Sequence, residues 1–182
     1  MELFSPETLG LIFLALLTLT AYTHSPDTSE SYNATLVDVT DGDTIDVTVN
    51  GREDTVRFLG VDTPETHAEN SPEEFNLSDN PDNRACLREY GEEAANFVER
   101  RLGGDLRIET DSLSDRRGSY GRMLAYVYDS NNSVNRQLLE EGLARVYTGE
   151  FSREKEYLKI EKEAREEGKG LWSCANTTIG VS

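Results

Sequence analysis

The sequence predicts an α+β domain in which five short strands and three helices are interleaved. Three observations predict it. Short runs such as Ile45, Val47 and Val49 alternate apolar with polar residues, the period of a half-buried strand. Longer runs place apolar residues on one helical face, as with Tyr90, Ala94, Phe97, Val98 and Leu102. Turn and stop residues punctuate the runs: Asn50-Gly51, Gly103-Gly104, Gly142 and Gly168.

The length of 182 residues allows one ordinary domain plus extras, and 36% apolar residues support a core. Gly10 to Ala21 is apolar except for Thr18 and Thr20. That is shorter than the ~20 residues a membrane span needs and suits the apolar part of a signal peptide. Glu2 and Glu7 precede it, and no Lys or Arg does. Residues 1–24 are therefore expected to be a signal peptide or, alternatively, an N-terminal membrane anchor, with membrane contact only through that segment. Secretion is expected, with an anchored protein facing outside as the alternative. Glycosylation triplets at Asn33, Asn76, Asn131 and Asn176 lean the same way. Residues 25–31 read as a polar linker, 32–176 as the domain and 177–182 as a tail.

Within the domain, Tyr32 to Val39 reads as the first strand. Asn50-Gly51 is a hairpin turn, after which Asp54 to Val61 runs back along Ile45 to Val49. Residues 66–84, rich in Pro, Asn, Asp and Glu, read as a loop. A helix follows from Arg88 to Leu102, then a strand from Asp105 to Thr110 and a charged loop from Asp111 to Ser119. Met123 to Tyr128 is apolar on both faces and so a central strand. Val134 to Glu141 reads as a short helix stopped by Gly142, and Ala144 to Tyr147 as a last short strand. Ser152 is expected to cap a helix running to Glu167, with Tyr157, Ile160 and Ala164 as its apolar stripe. Trp172 reads as core.

The hairpin matters because it lays its two far ends side by side. Those ends are Asp41-Gly42-Asp43-Thr44 and Asp62-Thr63-Pro64-Glu65. Carboxylates brought together repel unless something compensates them, and a hard divalent cation is the common answer. Glu65 could act on a water beside such a cation. Arg57 adds a permanently charged fork suited to phosphate. Together these residue types point to phosphodiester hydrolysis. The plainer alternative is a surface hairpin with acidic turns. Asp41-Gly42-Asp43 also touches the EF-hand pattern, but the later ligands of that loop are missing.

Three separated motifs extend this reading. Asp41-Gly42-Asp43-Thr44, Arg57-Phe58-Leu59-Gly60-Val61-Asp62-Thr63-Pro64-Glu65 and Tyr120-Gly121-Arg122 together resemble the staphylococcal nuclease (thermonuclease) family, in order and in spacing. The match runs from about Tyr32 to Trp172. The resemblance implies a five-stranded OB-type barrel, a fold that commonly binds single-stranded nucleic acid. It also implies one Ca²⁺ on the Asp43 and Asp62 carboxylates and the Thr63 main-chain carbonyl. Glu65, Arg57 and Arg122 would be catalytic, and Tyr120 would contact substrate. DNA and RNA would both be cut, leaving 3′-phosphate ends, and a monomer is expected. Ser119 stands where the family usually has a basic residue. Tyr147 is offset from the family's nucleotide tyrosines, and the lone His67 makes no metal cluster. Two alternatives stay open: a non-catalytic OB-fold nucleic-acid-binding module, and a secreted acidic Ca²⁺-binding domain. The presence of Asp43, Asp62, Glu65, Arg57 and Arg122 together favours the enzyme. The Ca²⁺-binding alternative gives no reason for the two arginines.

The net charge of −17 opposes this reading, since nucleic-acid binders are usually basic. Lys155, Lys159, Lys162 and Lys169 are the only lysines, while arginine is plentiful. Acidic excess with little lysine resembles proteins of halophiles, where salt screens the repulsion. Cys86 and Cys174 are too few for a disulfide scaffold but are expected to pair in an exported chain. The halophile-like reading has a direct test. Self-repulsion destabilises a compact state until it is screened, and the Debye length falls to about 3 Å at 1 M salt. The thermal midpoint should therefore rise from low salt towards ~3 M KCl. A monotonic fall would reject the halophile-like reading.

Overall fold

A computed structural model of the chain describes residues 28–176. The apolar run at Gly10 to Ala21 and the tail at 177–182 lie outside the described residues. Five strands build the barrel: β1 (Ser31–Asp41), β2 (Thr44–Val49), β3 (Arg52–Phe58), β5 (Asp105–Glu109) and β6 (Met123–Asp129). Three two-residue strands supplement it: β4 (Val61–Asp62), β7 (Asn132–Ser133) and β8 (Arg145–Val146). The helices are α1 (Pro81–Arg101), α2 (Val134–Glu140) and α3 (Glu154–Glu166), with 3-10 turns at Pro72–Phe75 and Gly170–Asn176. Among the described residues no helix is long and apolar enough to cross a membrane.

The sheet runs β3-β2-β1-β5-β6, and β3 then pairs with β6 in parallel, closing the barrel. The expected five-stranded OB-type barrel with three helices is thus the observed architecture. The run from Ala144 to Tyr147, read as a last strand, contributes only β8, which pairs with β4 outside the main sheet. Asn50 and Gly51 both have positive φ, 52° and 76°, the geometry of a two-residue hairpin whose twist suits its strands. That turn fixes the register: Thr44 lies opposite Arg57, and Val47 opposite Asp54. Inward residues Ile45, Val47, Val56, Phe58, Ile108 and Val127 are essentially inaccessible to water. Burying side chains of this size favours folding by about 1.5–3 kcal/mol each.

Three expectations need correction. Helix α1 begins at Pro81, seven residues before Arg88. The Asn80 side chain accepts from the Asn83 amide, and Pro81 occupies the first turn. An Asn cap followed by Pro is a standard start, hidden in a segment whose composition reads as loop. Cys86 therefore lies within α1 and not before it. Ser152 does not cap α3. Its amide and hydroxyl both donate to Asp111 Oδ2, at 2.8 and 2.5 Å, and the helix begins at Glu154.

Glu30 and Ser31, expected in a linker, are tied to the barrel. The Glu30 amide donates to Thr110 Oγ1 at 2.9 Å, and Ser31 opens β1.

A second apolar cluster lies under the 66–80 segment: Phe75, Leu77, Leu87, Ala164, Leu171 and Trp172. Cys86 and Cys174 form a disulfide at its edge, joining α1 to the C-terminal 3-10 turn across 88 residues. In the loop-entropy picture a bridge that long adds roughly 4–5 kcal/mol, commonly less in practice. Urea unfolding of a Cys86→Ser, Cys174→Ser double variant should show a large loss of stability relative to the oxidised parent. Equal midpoints would mean that the second cluster holds without the bridge.

Candidate active site

The β2–β3 hairpin and helix α1 together set the site. Thr44 pairs with Arg57, so Asp43, just before β2, comes beside the Arg57 side chain. The Phe58 amide donates to the Asp43 carbonyl at 2.8 Å and closes the hairpin's open end. Helix α1 presses both acidic turns from outside. A Cβ on Gly42 would lie 2.6 Å from Ala94 Cβ, and one on Gly91 would lie 2.7 Å from the Pro64 carbonyl oxygen. Glycine at both positions allows α1 to touch the two turns at once, which aligns them.

Arg57 occupies the space between the turns. Its Nη1 lies 2.7 Å from Asp43 Oδ2 and donates to the Val61 carbonyl at 2.8 Å, while its Nη2 lies 2.6 Å from Asp62 Oδ1. Asp43 is buried. Its Oδ2 also accepts from the Thr63 amide at 2.9 Å and from Thr63 Oγ1 at 3.2 Å, and its Oδ1 accepts from Thr44 Oγ1 at 3.0 Å. Burial nevertheless pushes the Asp43 carboxyl up, outweighing the pull of Arg57 and the Thr63 amide.

Glu65 stands at the mouth of the cleft. Asn70 fixes its backbone on both sides: the Glu65 amide donates to Asn70 Oδ1 at 2.8 Å, and Asn70 Nδ2 donates to the Glu65 carbonyl at 2.9 Å. Partial burial, then the charges of Asp41 and Asp43, hold the Glu65 carboxyl above the usual carboxylate range. Asp41 also shares a hydrogen bond with it, which acts in the same direction. Asp41 shapes its own turn by accepting from the Gly42 amide at 2.8 Å.

Arg122 approaches from the other wall, placed by the parallel pairing of β3 with β6. Its Nη1 donates to Thr44 Oγ1 at 3.2 Å, and its guanidinium carbon lies 5.7 Å from the centre of the Tyr120 ring. Among the described residues it has no carboxylate within ion-pair distance, so its charge is available to the cleft. Tyr120 is 86% exposed and therefore no core residue. The cleft measures about 830 Å³, and its lining includes Asp43, Arg57, Asp62, Glu65, Tyr120 and Arg122. The structure thus brings six of the seven expected residues into one cleft, with Thr63 directly behind on Asp43. His67 and Tyr147 also line it, both exposed.

Sequence reasoning missed three residues. Arg145 Nη2 lies 2.7 Å from Asp62 Oδ2, on the side away from Arg57. Asn70 holds Glu65, as described. Asn135 is fully buried and ties β6 to the residue just after β3, accepting from the Val127 amide and donating to the Leu59 and Ala125 carbonyls. A polar residue inside the apolar pattern of α2 was the available signal for Asn135. Arg145 carried none, because its role depends on pairing between β4 and β8.

The two turns offer only oxygen donors, and the carboxylates near them, Asp41, Asp43, Asp62 and Glu65, outnumber the guanidinium groups of Arg57 and Arg145. Such a set fits a hard cation. Among the described residues no three His, Cys, Asp or Glu side chains are grouped to hold a metal ion. A cation here would rest on two carboxylates plus main-chain oxygen, as the motif implies.

Comparison with known proteins follows the same lines. Residues 55–174 match the family model described as staphylococcal nuclease homologue. That span holds all the expected site residues except Asp43. An uncharacterized protein of Methanocaldococcus jannaschii is 41% identical over 162 residues, covering 85% of this chain and 78% of that one. Endonuclease YncB of Bacillus subtilis is 40% identical over 154 residues, covering 82% of this chain and 66% of its own length. The thermonuclease of Staphylococcus hyicus is 35% identical over 141 residues, covering 76% and 74%.

The raised carboxyls make a stability prediction. A carboxyl whose folded pKa lies above its unfolded value binds its proton more tightly when folded. Its contribution to stability is fully present below the unfolded value, about 4, and is lost as pH rises through the folded value. With chelator present, Glu65→Gln should therefore raise the thermal midpoint at pH 7 and lose that advantage towards pH 4. A Gln variant less stable than the parent at pH 7 would contradict the upward shift that burial and the neighbouring carboxylates give Glu65.

Proposed function

The chain belongs to the staphylococcal nuclease family, and from that membership and the site's geometry we propose that it is a Ca²⁺-dependent nuclease. It hydrolyses phosphodiester bonds in DNA and RNA and leaves 3′-phosphate ends. The observation that carries the proposal is a single cleft lined by two guanidinium groups, Arg57 and Arg122, and by the Glu65 carboxyl. A phosphate diester needs both: donors for the charge on its oxygens, and a base for water.

Each residue's part follows from its surroundings. The Asp43 and Asp62 carboxylates with the Thr63 main-chain carbonyl would hold Ca²⁺, which when bound supplies Lewis-acid polarisation of a phosphoryl oxygen. Glu65 takes the proton of the attacking water. Its upward shift brings it closer to neutral pH, where a general base works best. Arg122, free of carboxylate partners among the described residues, places a planar fork against the phosphate. Arg57 supplies a second fork. Both neutralise charge that grows on the phosphoryl group as the bond to the attacking oxygen forms and the bond to the 5′-oxygen breaks, that oxygen leaving with a proton as the 5′-hydroxyl. Tyr120, exposed beside Arg122, offers an aromatic face to a base without reading its identity. The acidic bulk repels a polyanion at long range. Screening by salt removes that term sooner than it weakens contacts inside the cleft. The expected monomer and the secreted or anchored location remain part of this proposal.

Digestion of single-stranded DNA in Ca²⁺ and in excess chelator tests the proposal. Cleavage should appear only with Ca²⁺. Arg57→Lys and Arg122→Lys keep the charge but lose the fork, and each should lower kcat by about 10²–10³ with a smaller change in KM. Full activity in chelator would remove the cation. An unchanged kcat would remove that arginine from the reaction.

A further inference from the structure

Asp62 is held from two sides, and only one of its partners belongs to the cleft. Arg57 takes Oδ1 at 2.6 Å and Arg145 takes Oδ2 at 2.7 Å. Both Nη atoms of Arg57 are already aimed at Asp43, the Val61 carbonyl and Asp62, so gripping a phosphate with the same rigid, planar fork turns it away from part of that set. Turning it towards substrate withdraws a partner from Asp62. A carboxylate left there beside Asp43 and Glu65 would be repelled out of position unless a second cation held it.

We propose that Arg145 is the positioning residue for Asp62, fixing its carboxylate while Arg57 engages the substrate phosphate. The inference rests on the nuclease reading above. Three features of the structure place Arg145 for this task. First, the register is fixed by the backbone, since Asp62 on β4 pairs directly with Arg145 on β8. Second, the guanidinium lies over two rings, 5.5 Å from the centre of Phe75 and 5.8 Å from that of Tyr147. Phe75 is buried, so this support is rigid. Third, among the described residues the other carboxylate paired with Arg145 is Glu74, at 3.4 Å and exposed, a weaker competitor than Asp62 at 2.7 Å. Arg145 does not line the cleft itself, so it acts through Asp62 and not on the substrate.

The test separates positioning from simple charge and from simple stability. Removing a cation beside a metal ligand makes the site more negative, so charge alone would tighten Ca²⁺. Loss of positioning weakens it, and partners of this kind typically matter about 10–100-fold for affinity or activity. Calorimetric titration with CaCl₂, in the absence of nucleic acid, should show Arg145→Met binding at least tenfold more weakly than the parent. Its kcat should fall by a similar factor, with KM for single-stranded DNA within about twofold. Arg145→Lys, which restores the charge on the same strand, should recover most of both. Circular dichroism at the assay temperature would confirm that each variant is folded. Equal or tighter Ca²⁺ binding by folded Arg145→Met, with unchanged kcat, would overturn the positioning role while leaving the nuclease reading intact. Failure of the parent chain to bind Ca²⁺ or cleave would instead overturn the reading on which the inference rests.

Discussion

Arg57 satisfies three acceptors at once: Asp43 Oδ2, Asp62 Oδ1 and the Val61 carbonyl. The cleft depends on that arrangement. Without it, two carboxylates from the two ends of one hairpin would face each other with little water between them. Their charge would then have to be relieved by protonation or by the turns moving apart. Arg57 is delivered to this point by the two-residue turn at Asn50-Gly51. A shift of one residue in the hairpin register would put its side chain on the other face of the sheet. Burial still outweighs Arg57 at Asp43. Such a pair is weak evidence for stability, yet removing either member would leave an uncompensated charge. The site is therefore a place where folding tolerates strain of charge for the sake of chemistry.

The rest of the chain holds the two turns in register. Gly42 and Gly91 let α1 rest against both. The second apolar cluster and the disulfide anchor the beginning of α1, and Asn70 secures Glu65 above it. Many other arginines are committed to acidic neighbours: Arg84 to Asp79, Arg100 to Glu93, Arg117 to Asp54 and Arg136 to Glu140. These exposed pairs contribute little to stability singly. They do localise positive charge away from the cleft, where Arg122 has no carboxylate partner among the described residues.

How much of this was legible in the sequence depended on distance along the chain. The hairpin was readable because its turn and alternating strands lie within about twenty residues. Its ends then had to meet, which located Asp43, Asp62 and Glu65. Arg122 and Tyr120 were located by motif and not by geometry. The start of α1 was obscured because Asn, Asp and Pro serve loops and helix starts alike. Ser152 looked like a cap, but a buried carboxylate, Asp111, competed for the same hydroxyl and amide. The supporting residues Arg145 and Asn135 were illegible for a different reason. Arg145 reaches back to Asp62 through the β4–β8 pairing, and Asn135 reaches Leu59 across 76 residues, contacts that no local pattern announces.

The chemistry of the product ends tests the central claim most directly. A single-stranded DNA oligonucleotide would be digested with the parent chain in Ca²⁺ and the fragments weighed by mass spectrometry. If Glu65 directs water at a phosphate held by Arg57 and Arg122, fragments should carry 3′-phosphate and 5′-hydroxyl ends, and none should form with Arg57→Lys on the same timescale. Fragments with 3′-hydroxyl ends, or equal cleavage by the Lys variant, would contradict the account.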